Sequence, residues 1–208
     1  MAASSDELAR FVETYAQRIH LARDVLTELD SAIGDADHGI NMDRGFAAVT
    51  EVLPGLRDGQ PGALLKGVGM KLISTVGGAS GPLYGTFFLR FGTALGDFPT
   101  ADHAALAAGL AAGLGGVVAR GKAELDDKTM VDALSPAVAA LEAGLADWPA
   151  ALDAAAVAAA AGRDRITPLV ARKGRASYLG ERSAGHQDPG ATSMTILIET
   201  FRDTLRDV

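Results

Sequence analysis

From Leu8 the apolar residues Leu8, Val12, Tyr15, Ile19, Ala22, Leu26, Leu29 and Ile33 recur in alternating steps of four and three, which draws one stripe along a helix. Ser4 with Glu7 three places on has the pattern of a capping box, so this helix is predicted to start there and to end near Leu29 or Asp30. The same period returns over residues 42–53, 64–76, 83–95, 101–119, 130–145, 150–163 and 192–205, and no segment alternates convincingly as a strand. Pro61, Pro82 and Pro149 sit where a first-turn proline costs no helical hydrogen bond, and Asn41 and Thr100 suit N-caps. Gly-rich turns join the segments, and neither a linker nor a repeat is visible. The expectation is one all-α domain of about eight helices over residues 1–208.

Two stretches carry unusual small-residue content. Nine of the twelve residues 150–161 are Ala, which either a close helix contact or the composition of a GC-rich genome explains. Glycines at 109–116 inside the fifth helix cost about 1 kcal/mol each relative to Ala when exposed, unless a neighbour or a ligand approaches closely.

Composition narrows the function. The 19 basic residues against 26 acidic ones give a net charge of -7 and a pI near 5.0, the wrong sign for a protein that coats nucleic acid. No run approaches the roughly 20 apolar residues of a membrane span, and residues 1–7 lack a secretory leader's basic start and apolar stretch. Without cysteine there is no disulfide framework, zinc-thiolate site or thiol nucleophile, and the cytoplasm is the expected compartment.

Three interhelical segments hold more carboxylates, glycines and hydroxyls than a connection requires. In 29–41, Asp35 and Asp37 flank a small residue between glycines, and Asp30 comes from the preceding helix end. Three clustered carboxylates repel one another unless a hard cation joins them, and an all-oxygen ligand set points to Mg²⁺ or Ca²⁺. An EF-hand fails, because position 12 counted from Asp35 is Phe46 and position 3 counted from Asp30 is Ala32. The second segment, 77–82, leads glycines and Ser80 into a helix start, where N–H groups can receive a phosphate. It is neither a Walker A loop nor a Rossmann fingerprint. The third joins 121–130 with 173–178 and 185–191; there Arg175, among small residues, can approach a phosphate. Lys122, Asp126, Asp127 and Lys128 read as solvated loop charges, and His20 and His103 as structural or solvated.

With these residues in view the chain resembles the nucleotide-binding L subunits of dihydroxyacetone kinases, the DhaL family. The matching stretches are 29–45, with Gly-Asp-Ala-Asp-His-Gly at its centre, 77–85, 121–134 and 173–191, in the family's order. The resemblance implies an eight-helix antiparallel up-down barrel with ADP or ATP at one rim and two Mg²⁺ ions on Asp30, Asp35 and Asp37. It places His38 and Asn41 beside the metals, Ala79 and Ser80 at the phosphates, and Leu83, Gly121, Thr129 and Met130 around the nucleoside. Arg175, Asp188 and Pro189 fall on late loops that close over the nucleotide. It further implies a K subunit that binds dihydroxyacetone through its own histidine, and a phosphohistidine M subunit of the phosphotransferase system that rephosphorylates ADP in place. The alternatives are an ATP-dependent kinase subunit for another small ketose or polyol such as erythrulose, and a nucleotide-loaded adaptor that docks on a transcriptional regulator. Neither a nucleic acid nor a membrane is expected as partner, and a homodimer stays open.

Overall fold

The structure is a computed structural model and describes residues 2–208. The capping box forms: Ser4 N–H donates to Glu7 Oε2 at 2.6 Å and Glu7 N–H to Ser4 Oγ at 3.4 Å, which opens α1 (Ser5–Ile33). Its stripe is buried at Leu8, Val12, Tyr15, Ile19 and Leu26. There follow α2 (His38–Leu56), α3 (Pro61–Thr75), α4 (Ser80–Leu95), α5 (His103–Gly121), α6 (Val131–Ala143), α7 (Trp148–Arg165) and α8 (Pro189–Thr204). A 3-10 segment, Arg175–Ser183, kinks at Gly180 between α7 and α8.

Several boundaries differ from the sequence pattern. Helix α1 continues past Asp30 to Ile33, and α2 opens at His38, so Asn41 lies inside the helix and caps nothing. Asp102, not Thr100, caps α5 by accepting the Ala105 N–H at 2.8 Å. One strand pair breaks the all-helical pattern: β1 (Ala2–Ala3) runs antiparallel to β2 (Ala101–Asp102) and ties the N-terminal end to the entry of α5.

Each helix packs on its successor and α8 packs back on α1, so the eight α-helices found among the described residues close into an antiparallel barrel. Up-down order puts the C-terminal ends of α1, α3, α5 and α7 on one rim with the N-terminal ends of α2, α4, α6 and α8. The interior is aromatic: Tyr15 meets Phe46 edge-on at 4.7 Å, Phe87 meets Phe88 at 5.1 Å, and the chain of rings continues through Phe91 and Phe201 to Trp148.

Most of the small residues have partners, Gly115 excepted. A methyl group at Gly109 or Gly113 would overlap the ring of Phe91 or Phe87, so these α5 glycines let α4 approach. By length and composition α5 could span a bilayer, contrary to the expectation from apolar runs; here its glycine face meets the α4 rings instead. In α7, Ala151, Ala155, Ala156 and Ala159 are buried and Gly162 lies against the Asp132 carbonyl, so close packing on α6 accounts for that face. Ala154 and Ala161 are exposed, and packing gives no reason for them.

Candidate functional site

Asp30 sits in the last turn of α1 with its side chain turned inward, and its Oδ2 accepts the N–H of Asp37 at 2.8 Å and of His38 at 3.0 Å. A carboxylate from one helix thus caps the next and bends residues 34–37 back on α1, with Ala36 in the left-handed region at φ 60°. The bend brings carboxylate oxygens of Asp30, Asp35 and Asp37 within 4.8 Å of one another. Arg175, at the start of the 3-10 segment, reaches across the cleft mouth to Asp35 Oδ2 at 3.0 Å. One guanidinium on one of three carboxylates leaves a surplus of negative charge, and an oxygen-only donor set of this kind suits Mg²⁺.

Behind the carboxylates runs a buried polar chain. His38 bonds Ser80 Oγ through Nδ1 at 3.0 Å and Ser193 Oγ through Nε2 at 2.9 Å. Tyr84 shares Ser193 Oγ at 2.8 Å, and Tyr15 O–H donates to the Ser193 carbonyl at 3.1 Å. Four helices, α1, α2, α4 and α8, are therefore locked together behind the metal-ligand candidates.

The cleft has two halves. The polar half, about 160 Å³, is walled by the three aspartates, His38, Ala79, Ser80, Arg175, Asp188 and Pro189. The other half, about 340 Å³, carries no carboxylate and is lined by Pro82, Val117, Arg120, Gly121, Ala123 and Val131. Leu83, Thr129, Met130 and Lys173 belong to both. All the predicted site residues thus meet at one rim except Asn41, which is buried in α2 beside Gly77 and accepts Arg44 Nη2 at 2.8 Å. Sequence patterns gave no sign of Ser193 or Tyr84. Two charges expected in solvent are buried: Asp127, whose Oδ2 accepts the Glu124 N–H at 2.8 Å, and Lys128. Asp126 pairs with Arg165, Lys122 stays exposed, His20 pairs with Asp43 at the surface, and His103 stacks on Trp148.

Two of the shifted groups at the site, His38 and Asp188, titrate between pH 4 and 7. Burial pushes His38 down from 6.5 to about 4, against the pull of Asp30 and Asp37. Burial pushes Asp188, the N-cap of α8, up from 3.8 to about 7, although the Ala191 N–H donates to its Oδ2 at 2.7 Å. Between pH 4 and 6.5 the unfolded chain binds the His38 proton that the folded chain refuses, so this group's stabilisation is lost on acidification. Asp188 does the reverse: its folded form keeps a proton that the unfolded form releases, and stability falls as pH rises from 3.8 to 7. The slopes oppose each other. In metal-free buffer, His38→Gln is expected to unmask the Asp188 slope and Asp188→Asn the His38 slope, each changing the stability difference between pH 4.5 and 6.5 by about 2–3 kcal/mol relative to the parent. Denaturant unfolding at the two pH values checks this, and parallel pH profiles for parent and variants would refute it.

Comparison with known proteins gives the family. Residues 32–203 match the DAK2 domain. The chain is 51% identical over 179 residues to the ADP-binding subunit DhaL of the PEP-dependent dihydroxyacetone kinase of Escherichia coli, covering 84% of each chain. It is 40% identical over 204 residues to a DhaL subunit named likewise from Listeria innocua, covering 98% of each. Among solved structures, the dihydroxyacetone kinase from C. freundii in complex with AMP-PNP and Mg²⁺ superimposes with a TM-score of 0.71 at 26% identity. That match covers 98% of this chain and 34% of the other, so the chain spans about a third of the larger kinase. The chain belongs to the DAK2 domain family, among its DhaL-type members.

Proposed function

We propose that this chain is the nucleotide-holding, phosphoryl-donating subunit of a dihydroxyacetone kinase, working in the cytoplasm as one nucleotide-binding domain over residues 1–208. The observation that carries the proposal is the convergence of Asp30, Asp35 and Asp37 within 4.8 Å at one end of a cleft whose other end carries no carboxylate and presents Pro82, Val117, Ala123 and Val131 beside Arg120. A nucleoside diphosphate or triphosphate has the same polarity along its length. Asp30, Asp35 and Asp37 would hold two Mg²⁺ ions, which when bound neutralise phosphate charge and set the phosphates in line.

The remaining roles belong to the chain's own groups. Ser80, with Ala79 and the N–H groups opening α4, receives phosphate oxygens, and neutral His38 holds Ser80 in place through Nδ1. Leu83, Gly121, Thr129 and Met130 enclose the nucleoside, while Asn41 packs against the Gly77–Gly78 turn. Asp188 and Pro189 close the polar half, and Arg175 is placed to leave Asp35 and offset charge on the moving phosphoryl group. In the transfer itself the bond from the γ-phosphorus to the bridging oxygen breaks with its electron pair left on ADP, a bond to a dihydroxyacetone hydroxyl oxygen forms, and that hydroxyl's proton passes to a base on the acceptor's side. A K subunit presents the acceptor. Bound ADP then regains a phosphoryl group from a phosphohistidine M subunit, whose nitrogen–phosphorus bond is broken.

The test joins two measurements. Denaturing the purified protein is expected to release ADP or ATP retained with Mg²⁺, and the protein with K and M subunits is expected to phosphorylate dihydroxyacetone from phosphoenolpyruvate in the presence of the phosphotransferase system's general proteins. Asp35→Ala is expected to lose both. Retention of nucleotide and full activity by Asp35→Ala would overturn the assignment.

A further inference from the structure

The loop that leads into α6 carries Lys128 into the interior, where only 1% of it is exposed. Its backbone is left-handed at φ 64°, as is that of Asp126 at φ 70°, a conformation that residues bearing a Cβ seldom adopt. Buried Asp132 sustains it by accepting the N–H of Asp126 at 2.6 Å and of Thr129 at 2.9 Å. The turn aims the ammonium at three backbone carbonyls: Thr167 at 2.8 Å, Leu169 at 2.9 Å and Ser183 at 2.7 Å. All three N–H donors of the lysine are used.

Those carbonyls are not scattered. Thr167 and Leu169 precede the segment that carries Arg175 over the cleft, and Ser183 ends it, so one ammonium joins the two strands of its neck. The neck is also zipped by Ala171 N–H to Ser183 Oγ at 2.8 Å and Gly185 N–H to the Thr167 carbonyl at 2.9 Å. Arg172 N–H donates to the Asp127 carbonyl at 3.0 Å, which binds the neck to the lysine's own loop. Immediately after Lys128 come Thr129 and Met130, shared by both halves of the cleft.

We infer that Lys128 is a positioning residue: it locks the neck of the segment 172–182 to the loop holding Thr129 and Met130, so that Arg175 and the nucleoside wall keep a fixed relation. Its kinetic consequence rests on the proposed nucleotide function; the structural one does not. The segment offers exposed trypsin sites after Arg172, Lys173, Arg175 and Arg182. Under conditions where each protein stays folded, Lys128→Met is expected to speed cleavage within 172–182 at least about tenfold, because cleavage follows the population of the open segment. Lys128→Arg, whose planar guanidinium is larger than the ammonium and cannot aim three N–H groups at the same three carbonyls, is expected to restore only part of the protection. In the reconstituted transfer assay, Lys128→Met is expected to lower kcat more than it weakens Mg-ADP binding.

Unchanged cleavage within 172–182, or acceleration spread evenly over all sites, overturns the inference. If Lys128→Met does not fold, Ser183→Ala, which opens the neck while leaving the ammonium in place, is expected to expose the same sites severalfold, and unchanged cleavage there is refuting. Failure of every form to bind Mg-ADP would sink the functional proposal while leaving the cleavage result standing.

Discussion

Asp30→Asn is expected to weaken Mg-ADP binding at least about a hundredfold, roughly 3 kcal/mol, while the helices stay folded. The carboxylate works twice: Oδ2 holds the Asp37 and His38 N–H groups, and the same side chain is one of the three converging oxygen donors. An asparagine oxygen can still accept those two N–H groups, but its NH₂ then faces the proposed cation position without charge to offer. Asp30→Ala removes both functions and leaves two buried-side N–H groups without their acceptor. It is expected to lose binding equally and also about 2 kcal/mol of stability. Asp35→Asn separates the roles from the other side, because Asp35 pairs only with the exposed guanidinium of Arg175 in this site and its loss is expected to leave stability nearly unchanged. Calorimetric titration with Mg-ADP, paired with thermal unfolding of the metal-free proteins, reads both quantities. Binding by Asp30→Asn within threefold of the parent would remove the basis for a metal site at this rim.

That site was legible in the sequence to an uneven degree. The spacing of Asp35 and Asp37 around Ala36, between glycines, pointed to convergent carboxylates, and the structure brings them together with Asp30. The start of α2 was misjudged because its cap is supplied by Asp30, seven and eight residues earlier and on another helix; local capping patterns carry no trace of such a bond. Lys128 was read as solvated for a similar reason. Its acceptors are backbone carbonyls 39 to 55 residues away, which any sequence could supply, and its burial depends on left-handed turns at Asp126 and Lys128, of which only the aspartate is a type that favours that conformation. Ser193 looked like one hydroxyl on a helix; only the closure of α8 onto α1 puts Tyr15, Tyr84 and His38 around it. Closure itself was out of reach of periodicity, since a stripe states which face is buried but not which helix covers it. The resemblance to a known family, not the pattern, supplied the barrel.

Gly39→Ala is expected to lower stability by about 3 kcal/mol, a fall in melting temperature of roughly 6–12 °C for a chain of this size, and to weaken Mg-ADP binding at the same time. Gly39 is the second residue of α2 and lies directly on α1. A methyl group there would overlap the Arg23 carbonyl oxygen and come 2.8 Å from the Thr27 nitrogen, and neither backbone atom can swing aside as a side chain does. Thr27 Oγ1, which also stands in the way, is itself bonded to the Arg23 carbonyl at 2.8 Å. The start of α2 must therefore move outward, and it carries His38 and the N–H groups held by Asp30 with it. Gly55, in the last turns of the same helix, is the control. Nothing lies within 4 Å of a methyl group there, so Gly55→Ala is expected to raise stability by about 0.5–1 kcal/mol through the unfolded state alone. Two substitutions of the same kind in one helix are thus predicted to act with opposite sign, and only the one against α1 is predicted to reach the nucleotide site. If Gly39→Ala melts with the parent and binds Mg-ADP as tightly, the contact between α1 and α2 does not set the geometry of the carboxylates, and another constraint must hold them.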